Sequence, residues 1–519
     1  MRIRVAFWSV VAGAALLLVL RTGAVPLWDP DESRFARTSV EMLRSGDLVV
    51  PTFEGEPRLV KPPLLHWIQS FVFSLTGATE WAARLHAVAA TLGSILLLGW
   101  LVGRRFGPEG SVWAAAVFAT MPIVLVLGRV GTLDALLAVH VFAAVALDMV
   151  DDETGGSYRS YCMGGILGLA FLVKGPIGVL LPLLVMLAGR TAARQSVLPS
   201  VKAVLQAVVA WAVVVLPWGL VFVRRVGLDV TGETIRQEVL ERYFAGTTHP
   251  EPPWFFVLVG AVAFLPWLAP LLIGSWRAWR LRREPIAKTA VYAMAGLVAG
   301  FVFFSLGRGK VAAYVVPLAP LAAILVTWEL SREIEAPHKR TLGPALLSAT
   351  VAACAVLLGL LGLSRLEDES AVVALAGATV FAVGALVSGF GVAKRRPRWV
   401  YGSAAASSAL FLLAAVLFLY PSLGKTRSTA ELIKAVPRLS AERPLVTVEV
   451  RVPSLTFYLD RAPEIVEMDH LEERLARDDS PIFVFVDVDV PSVPSTAMER
   501  LREIGRQGKY LVFEKKGPS

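Results

Sequence analysis

The chain has 519 residues, of which 55% are hydrophobic and 18% are charged, and its net charge is +9. Soluble domains average about 45–50% apolar and about 25% charged residues, so this composition excludes a soluble globular protein. Together with a mean hydropathy of +0.62, it indicates a polytopic membrane protein. The two cysteines, Cys162 and Cys354, lie far apart in apolar segments, which excludes a disulfide framework and a cysteine metal site.

Thirteen apolar segments are candidates for membrane spans, each of which needs about 20 apolar residues. The first follows Arg2 and Arg4 and indicates a retained signal-anchor helix, since no clear small-residue cleavage site follows it. Two short segments between residues 159 and 190 leave the count open. The predicted spans are 6–26, 84–103, 111–128, 131–149, 159–173, 175–190, 203–223, 254–275, 289–306, 311–330, 342–363, 371–392 and 399–420.

The basic loops orient these spans. With the N-terminus inside, alternate loops rich in arginine, such as those at 104–105, 277–288 and 394–398, face the cytoplasm. The other loops then lie on the outer, periplasmic side of a bacterial inner membrane. Thirteen spans place the chain after residue 420 on that side as well.

Two outer loops are long, at 27–83 and 225–253. In the first, residues 30–45 and 63–75 are amphipathic, which predicts two helices lying in the membrane interface. The second loop contains a predicted helix over Glu233–Tyr243 and ends in a proline-rich stretch around His249.

Residues 421–519 differ in composition from the transmembrane region 1–420. Strand patterns alternate with polar helical patterns, which predicts a small α/β accessory domain on the outer face. The predicted strands are Leu445–Val450, Glu464–Met468, Ile482–Val490 and Tyr510–Phe513, and the predicted helices are 428–436, 470–477 and 496–506.

Six charged motifs fall on the outer side, and charges beside a bilayer are costly, so they tend to mark function. The first motif lies just after the first apolar segment. In it, Asp29 can be the N-cap of a helix, Pro30 its first residue and Glu32 the partner in a capping box. Capping leaves Asp31 beside Arg34 unexplained. We interpret Asp31 as a carboxylate that binds or deprotonates an acceptor, and keep Glu32 as a catalytic candidate that can also be structural.

The cations in the other motifs are candidates for binding a phosphate. Lys61 precedes two prolines, where it is either a snorkelling lysine or a point charge on a phosphate. Lys174 lies in a Gly/Pro break between two apolar runs, and such breaks are tolerated where they line a cavity. Lys310 and Tyr314 open the tenth span and favour phosphate binding, whereas Arg308 is also compatible with an interfacial anchor.

Two further motifs carry an acid and a histidine. Asp134 lies one turn inside an apolar segment, five residues after Arg129, which is a poor spacing for a helical ion pair and favours a functional role for the acid. His249 is a lone histidine, and the three or four ligands of a zinc site cannot be assembled around it from the sequence.

Acids and cations beside lipid fit one reaction class. A lipid phosphate held by cations can leave while carboxylates orient or activate an acceptor, which is glycosyl transfer from a polyprenyl-phosphate sugar. The sequence has no Ser-His-Asp set, P-loop or haem motif. A lipid-sugar flippase is the rival in another class, but transporters usually place charges near the midplane of paired repeats. A non-catalytic membrane scaffold is a second rival.

Four motifs resemble a known family. Asp31-Glu32 in a long first outer loop, Lys61-Pro62, Lys174-Gly175 and Gly309-Lys310 followed by Tyr314 are similar to motifs of the aminoarabinose lipid A transferases. More widely, they resemble the protein O-mannosyltransferase-like superfamily of type C glycosyltransferases, over most of residues 20–330. The resemblance implies the GT-C fold, an undecaprenyl-phosphate-like donor and an acceptor such as lipid A, with protein glycosylation as the alternative and no nucleic-acid partner.

The resemblance also implies roles for individual residues. Asp31 matches the family's essential carboxylate, Arg34 matches an arginine near the same site, and Lys61, Lys174 and Tyr314 match positions around the donor phosphate. The implied reaction is an inverting displacement, in which Asp31 is the general base for a hydroxyl acceptor or positions a phosphate acceptor. His249 matches a histidine of a zinc site in the aminoarabinose enzymes. There a glutamate precedes the Lys-Pro pair, whereas this chain has Val60, so zinc is left open and no other cofactor is expected.

Overall fold

The structure is a computed structural model, and it describes residues 1–150, 158–237, 241, 243, 250–337, 342–364, 370–440, 443–477, 482–486 and 493–516. It is mainly α-helical, with a two-stranded sheet at residues 52–57 and a five-stranded sheet near the C-terminus, so the predicted fold class is confirmed. The described chain divides into two compact units. The first comprises Met1–Leu20, Leu59–Leu65 and Leu85–Phe418, and the second comprises Arg21–Arg58, His66–Arg84 and Leu419–Ser519.

Most helices before residue 420 follow the predicted apolar segments. The helices of this region are α1 (Arg2–Val19), α2 (Asp31–Ser45), α3 (Leu64–Thr76), α4 (Glu80–Ala119), α5 (Pro122–Leu127), α6 (Leu133–Met149), α7 (Tyr158–Lys174), α8 (Pro176–Ala192), α9 (Val201–Val226), α10 (Leu228–Ile235), α11 (Phe255–Ala263), α12 (Leu268–Arg280), α13 (Lys288–Leu306), α14 (Ala319–Glu335), α15 (Leu342–Leu363), α16 (Ser370–Ala393) and α17 (Pro397–Ala414). Of these, α2, α3 and α10 lie in the two long loops predicted on the outer side.

The chain is a multi-pass membrane protein. Among the described residues, eight helices are long and apolar enough to cross a membrane, and there are nine if α11 and α12, which meet at a bend of 111°, form one span. Each predicted segment contains helix, but α6, α7 and α8 have only 17 residues each. Thirteen spans therefore stay a prediction.

The second and third predicted spans differ from the structure in where they break. One helix, α4, covers residues from both, with a break at Gly107, whose φ is 82°. Glycine adopts this left-handed conformation without a steric penalty, and Pro108 then fits the first turn of the second half. The predicted span 111–128 is itself interrupted between α4 and α5.

The core of the first unit is built around α14. In its apolar span, 89% of residues are buried, against 6% in α9. A helix that is apolar all round belongs in a protein interior or in lipid, and these two helices illustrate the two cases. Consistent with that, every residue from Ala319 to Leu330 is buried.

The second unit contains most of the first long loop and the chain from residue 419 onward. This division differs from the predicted domains 1–420 and 421–519, because loop residues 21–58 and 66–84 belong to the same compact unit as the C-terminal region. Its remaining elements are β1 (Thr52–Phe53), β2 (Glu56–Pro57), α18 (Tyr420–Thr426), α19 (Ala430–Ala435), β3 (Leu445–Val448), α20 (Pro453–Leu459), β4 (Glu464–Val466), α21 (Leu471–Ala476), β5 (Ile482–Val486), α22 (Ser495–Glu499), β6 (Leu501–Gln507) and β7 (Tyr510–Lys515).

A five-stranded mixed sheet with the order β4-β3-β5-β7-β6 organises this unit. Strand β3 runs parallel to β4 and β5, and β7 is antiparallel to β5 and β6. Successive side chains alternate between two apolar clusters: Val446 and Phe513 belong to one, and Leu445 and Val512 to the other. Both faces of the sheet are therefore covered, and the predicted small α/β region is confirmed.

The predicted helix over 496–506 is wrong for most of its length. Helix α22 ends at Glu499, and β6 pairs with β7 through a turn in which Gly508 has a φ of 54°. The polar pattern of residues 501–507 is compatible with a helix, but pairing with an apolar neighbouring strand overrides such weak propensities. Helix α20 was not predicted.

The two predicted amphipathic helices of the first loop are present as α2 and α3. For α2, however, the expected burial of the apolar face in the membrane interface is not what the structure shows. Ala36 and Val40 pack with Leu27, Phe73 and Ala82 in an apolar cluster within the second unit. Protein therefore covers this face of α2.

Candidate functional site

Lys174 ends α7 at the Gly/Pro break that the sequence predicts. Gly175 has φ 62° and ψ −144°, and Pro176 is the first residue of α8. Only glycine adopts this backbone conformation readily, so it lets the chain reverse into α8. A cation also fits the C-terminal end of a helix, where the backbone carbonyls carry partial negative charge.

Three predicted site residues meet at this break. The Lys174 ammonium donates a hydrogen bond of 2.8 Å to Asp134 Oδ1, and both side chains are 15% exposed. The same ammonium lies 4.9 Å from the centre of the Tyr314 ring. Asp134 is in the first turn of α6 and Tyr314 is in a short 3-10 helix, Ala312–Leu318. We call Asp134, Lys174 and Tyr314 the lysine cluster.

Aromatic side chains fix the position of Tyr314. Its ring lies 6.3 Å from that of Phe256 and 5.2 Å from that of Phe304, measured between ring centres. Such pairs add packing energy beyond the area they bury. The sequence analysis missed both phenylalanines, because an aromatic residue in an apolar helix carries no local signal of what it contacts.

Lys61 lies in the first unit near the same break. Its side chain is half-buried, and the ring of Pro62 would lie 3.9 Å from a Cβ atom placed on Gly175. The Lys61-Pro62 motif and the Lys174-Gly175 motif are therefore neighbours in space. This is the proximity that a shared phosphate site requires.

Lys310 is 3% exposed, and its ammonium donates a hydrogen bond of 2.7 Å to the carbonyl oxygen of Glu251. Gly309 forms an isolated β-bridge with Pro250. Lys310 therefore anchors the segment that follows residue 249, a structural role beside the predicted phosphate contact. Arg308 is exposed, so its side chain is accessible to an anion.

Arg129 binds the end of another helix. Its guanidinium, 2% exposed, contacts the carbonyl oxygens of Leu17 and Leu20 at the end of α1. These carbonyls are among the last of a helix and lack partners within it. Arg129 therefore closes the C-terminal end of α1.

Asp31, Glu32 and Arg34 belong to the second unit, at the start of α2. The Asp31 side chain is 62% exposed and lies 3.9 Å from the Arg34 guanidinium. A loose, exposed pair of this kind contributes little to stability. Its carboxylate is therefore accessible to an acceptor, and the catalytic role of Asp31 stays a prediction.

Glu32 is a structural residue in this structure, in contrast to its place among the catalytic candidates. It is 1% exposed, and its two oxygens accept hydrogen bonds of 2.6 and 2.7 Å from Arg84. It also accepts a bond of 2.9 Å from the backbone N–H of Trp28. Arg84, fully buried, further donates to the carbonyls of Thr22, Val25 and Pro26. The pair thus fixes the chain that leads into α2.

Asp29 is not the N-cap of α2, a position that the sequence allows for it, because that position is occupied by Pro30. Its carboxylate accepts a hydrogen bond of 2.7 Å from the backbone N–H of Ser454 and one of 2.6 Å from the Tyr510 hydroxyl. Burial raises the pKa of the Asp29 carboxyl, although these hydrogen bonds oppose the shift. The acid therefore joins two segments of the second unit.

A further charged network in the second unit was not predicted. Arg44 donates to Asp460 at 2.5 and 2.7 Å, and Arg37 donates to Asp460 at 2.5 Å and to Glu41 at 2.8 Å. Arg44, and then Arg37, lower the pKa of the Asp460 carboxyl from 3.8 to about 2. The partners are more than 400 residues apart, so no spacing in the sequence reveals them.

This network makes a prediction about acid stability. Because the pKa of Asp460 is lower in the folded chain, its stabilisation is complete above about pH 4 and is lost as the pH falls through about 2. Asp460 is half-exposed, so we expect Asp460→Asn to cost less than about 1 kcal/mol near pH 7. The difference in thermal midpoint between the two proteins should shrink as the pH falls toward 2, and a constant difference would contradict this assignment.

The Gly/Pro break makes a second prediction. Gly175→Ala puts a side chain at φ 62° and ψ −144°, at a cost of about 1–3 kcal/mol. We expect the strain to displace Lys174 and to lower the activity of the chain. Gly165→Ala in α7 is the matched control, because a Cβ there has no heavy atom within 4 Å and the glycine has an ordinary φ. Equal activity of both variants would contradict the role of Gly175.

The described residues offer no ligand set for zinc. Among them, no group of three or more His, Cys, Asp and Glu side chains could hold a metal ion. The predicted ligand His249 lies outside the described residues, and Val60, where the resembling enzymes have a glutamate, is exposed. Zinc binding stays an untested prediction.

A family model for dolichyl-phosphate-mannose-protein mannosyltransferases matches residues 60–220, which hold Lys61, Asp134 and Lys174. Curated relatives carry the name undecaprenyl phosphate-alpha-4-amino-4-deoxy-L-arabinose arabinosyl transferase. One from Sodalis glossinidius is 33% identical over 58% of this chain and 55% of its own length. One from Aeromonas salmonicida is 31% identical over 61% of this chain and 59% of its own length. The chain thus matches less than two thirds of these relatives.

Two solved structures share the fold over nearly the whole chain. ArnT from Cupriavidus metallidurans bound to undecaprenyl phosphate has a TM-score of 0.81 and 22% identity, and covers 98% of this chain and 99% of its own. The same protein in the apo state has a TM-score of 0.75 and 23% identity, over 98% of both chains. This likeness shows the fold, and the resemblance predicted from the motifs is confirmed.

Proposed function

We propose that this chain is an integral-membrane inverting glycosyltransferase, which moves a sugar from a polyprenyl-phosphate donor of the undecaprenyl-phosphate type to an envelope acceptor such as lipid A. The observation that carries the proposal is the lysine cluster, in which a half-buried cation, an acid and a phenol meet at a helix break. The names of the curated relatives and the bound lipid of the ArnT structure support the donor class.

The lysine cluster supplies what a departing phosphate needs. When the bond between the anomeric carbon and the phosphate oxygen breaks, negative charge develops on the leaving group. Preorganised donors at the place where charge develops are usually the largest contribution to catalysis. Lys174 and the Tyr314 hydroxyl take this role, and Asp134 holds the ammonium in position. Lys61, Lys310, Arg308 and Arg34 are the further phosphate-binding candidates.

Asp31 is assigned to the acceptor. A new bond forms between an acceptor oxygen and the anomeric carbon as the phosphate leaves, with inversion at that carbon. If the acceptor is a hydroxyl, its proton passes to the Asp31 carboxylate, which acts as general base. If the acceptor is a phosphate monoester, the nucleophile is already ionised and Asp31 positions it. The exposed carboxylate, 62% accessible, supports either role.

The membrane side is part of the proposal. Basic loops favour a cytoplasmic N-terminus, which places the loops bearing Asp31, Lys61, Lys174 and Lys310 on the periplasmic face of a bacterial inner membrane. A sugar donor with a lipid anchor and an acceptor in the outer envelope are both compatible with that side.

A second candidate function is supported by the family model. Its description names transfer of mannose to protein, and it matches residues 60–220. The chemistry at the donor phosphate would be the same, and the acceptor would be a protein hydroxyl instead of lipid A. For that acceptor, Asp31 would have to be a base.

The test is transfer by the purified full chain in detergent, given a polyprenyl-phosphate-linked sugar and either lipid A or envelope protein. Mass spectrometry measures the free polyprenyl phosphate and the glycosylated product. We expect release that depends on an acceptor, strong loss in Asp31→Asn, and normal release in Glu56→Gln, an exposed acid of the same loop. A flippase needs no release in detergent, so folded protein without release would reject the glycosyltransferase.

A further inference from the structure

A separate feature of the first unit is a cavity of about 380 Å³. It lies at the start of α13 and the end of α14, where its walls include Lys288, Trp328 and Arg332. Tyr314 of the lysine cluster lies near the other ends of these two helices, beside the end of α13 and just before the start of α14. Since α13 rises 1.5 Å per residue, the two sites are separated by about 27 Å along it. This cavity is therefore distinct from the proposed active site.

Three cations from three helices line the cavity. They are Arg105 of α4, Lys288 of α13 and Arg332 of α14, and the acid among the lining residues is Glu335. The helices bring these residues to one cavity although they are far apart in sequence, and three cations stand against one acid in its wall. This charge balance favours an anionic ligand.

Two buried donors at this cavity lack an acceptor. Trp328 is 2% exposed, and its indole nitrogen has no hydrogen-bond partner among the described residues. The same holds, within that part of the chain, for Nε of Arg332, whose guanidinium carbon lies 5.3 Å from the Trp328 ring. Both groups only donate. An unsatisfied buried group costs about 1–3 kcal/mol. Both nitrogens lie behind the surface of the cavity wall, so an acceptor in the cavity would relieve this cost by drawing either side chain toward it.

We propose that this cavity binds a phosphate group, carried either by the headgroup of an anionic lipid or by a small phosphate compound. A phosphate offers several acceptor oxygens at once, which an arginine fork and a lysine point charge suit well. Thr289 and Ser331 supply further polar groups in the wall. This site is independent of the glycosyl-transfer proposal, because none of its residues belongs to the proposed active site.

Native mass spectrometry of the purified full chain tests the proposal. The protein is titrated with phosphatidylglycerol and with phosphatidylcholine, and then with inorganic phosphate as a competitor. We expect preferential retention of phosphatidylglycerol or displacement by phosphate. Arg332→Gln should weaken the retained interaction roughly tenfold, because it removes a charge-assisted hydrogen bond. Trp328→Phe keeps an aromatic side chain, although a smaller one, removes the indole N–H, and should weaken binding several-fold.

Arg283→Gln is the matched control, since Arg283 is an exposed arginine close to α13 and is not among the residues of the cavity wall. It should bind like the natural chain. Retention of lipid alone identifies a headgroup, and competition by inorganic phosphate identifies the phosphate as sufficient. The proposal is overturned if Arg332→Gln and Trp328→Phe bind normally, or if Arg283→Gln loses as much as they do. If Arg332→Gln does not fold, the lipid binding of Trp328→Phe and Lys288→Gln decides whether the proposal holds.

Discussion

Replacing Lys174 by methionine is expected to lower sugar transfer by about 10²–10³-fold. Methionine keeps an unbranched side chain and removes the ammonium that we assign to the departing phosphate. In the structure this ammonium is held 2.8 Å from Asp134 and 4.9 Å from the Tyr314 ring centre. The measurement is the initial rate of polyprenyl-phosphate release at saturating donor, because a group that acts on the transition state lowers kcat.

Lys174→Met also leaves the Asp134 carboxylate without this cation, which could itself disturb the site. The double variant Lys174→Met with Asp134→Asn removes both charges and separates the two effects. We expect it to recover thermal stability and to stay slow. Lys202→Met, at an exposed lysine at the start of α9, should transfer sugar normally. A normal transfer rate in Lys174→Met, or a recovered transfer rate in the double variant, would contradict the assigned role of Lys174.

Glu32→Gln is expected to lower the free energy of unfolding by about 3–5 kcal/mol, because it leaves the Arg84 guanidinium buried without its counter-charge. Arg84 is fully buried and makes two hydrogen bonds to Glu32, of 2.6 and 2.7 Å. Its remaining bonds to backbone carbonyls cannot neutralise the charge. Thermal unfolding of the detergent-solubilised full chain measures the loss.

The neighbouring acid provides the control for this prediction. Asp31→Asn changes a side chain that is 62% exposed, so its stability should stay within about 0.5 kcal/mol of the natural chain. Substitution of the two adjacent acids should therefore have different effects. Glu32→Gln should lower stability, and Asp31→Asn should lower the rate of sugar transfer. Equal thermal midpoints for the two variants would show that the Glu32–Arg84 pair does not carry the stability assigned to it.

The sequence predicts those site features that depend on local chain geometry. Gly175 and Pro176 must interrupt a helix, and the structure ends α7 at Lys174. Pro30 is predicted as the first residue of a helix, and the structure begins α2 one residue later, at Asp31. Both predictions rest on backbone restrictions that operate within a few residues, so they do not require the rest of the fold.

Contacts between distant segments could not be predicted. The local sequence is compatible with Asp29 as a helix cap, yet Asp29 accepts hydrogen bonds from Ser454 and Tyr510. Glu32 is interpreted from the sequence as a catalytic candidate because its partner Arg84 is 52 residues away, and the local sequence does not show their pairing. In that case a signal was present, since an arginine in the first turn of a long apolar helix is costly and requires a partner.

The most direct test of the account is mass spectrometry of lipid A and of surface glycoproteins from cells that carry the natural chain, Asp31→Asn or the control Glu56→Gln. We expect lipid A from the Asp31→Asn cells, but not from the Glu56→Gln cells, to lack a sugar-sized mass. The size of that mass identifies a pentosamine or a hexose. Loss from protein instead would move the acceptor to the second candidate. No change in any fraction, with the variant at a normal level in the membrane, would contradict the proposed glycosyltransferase mechanism.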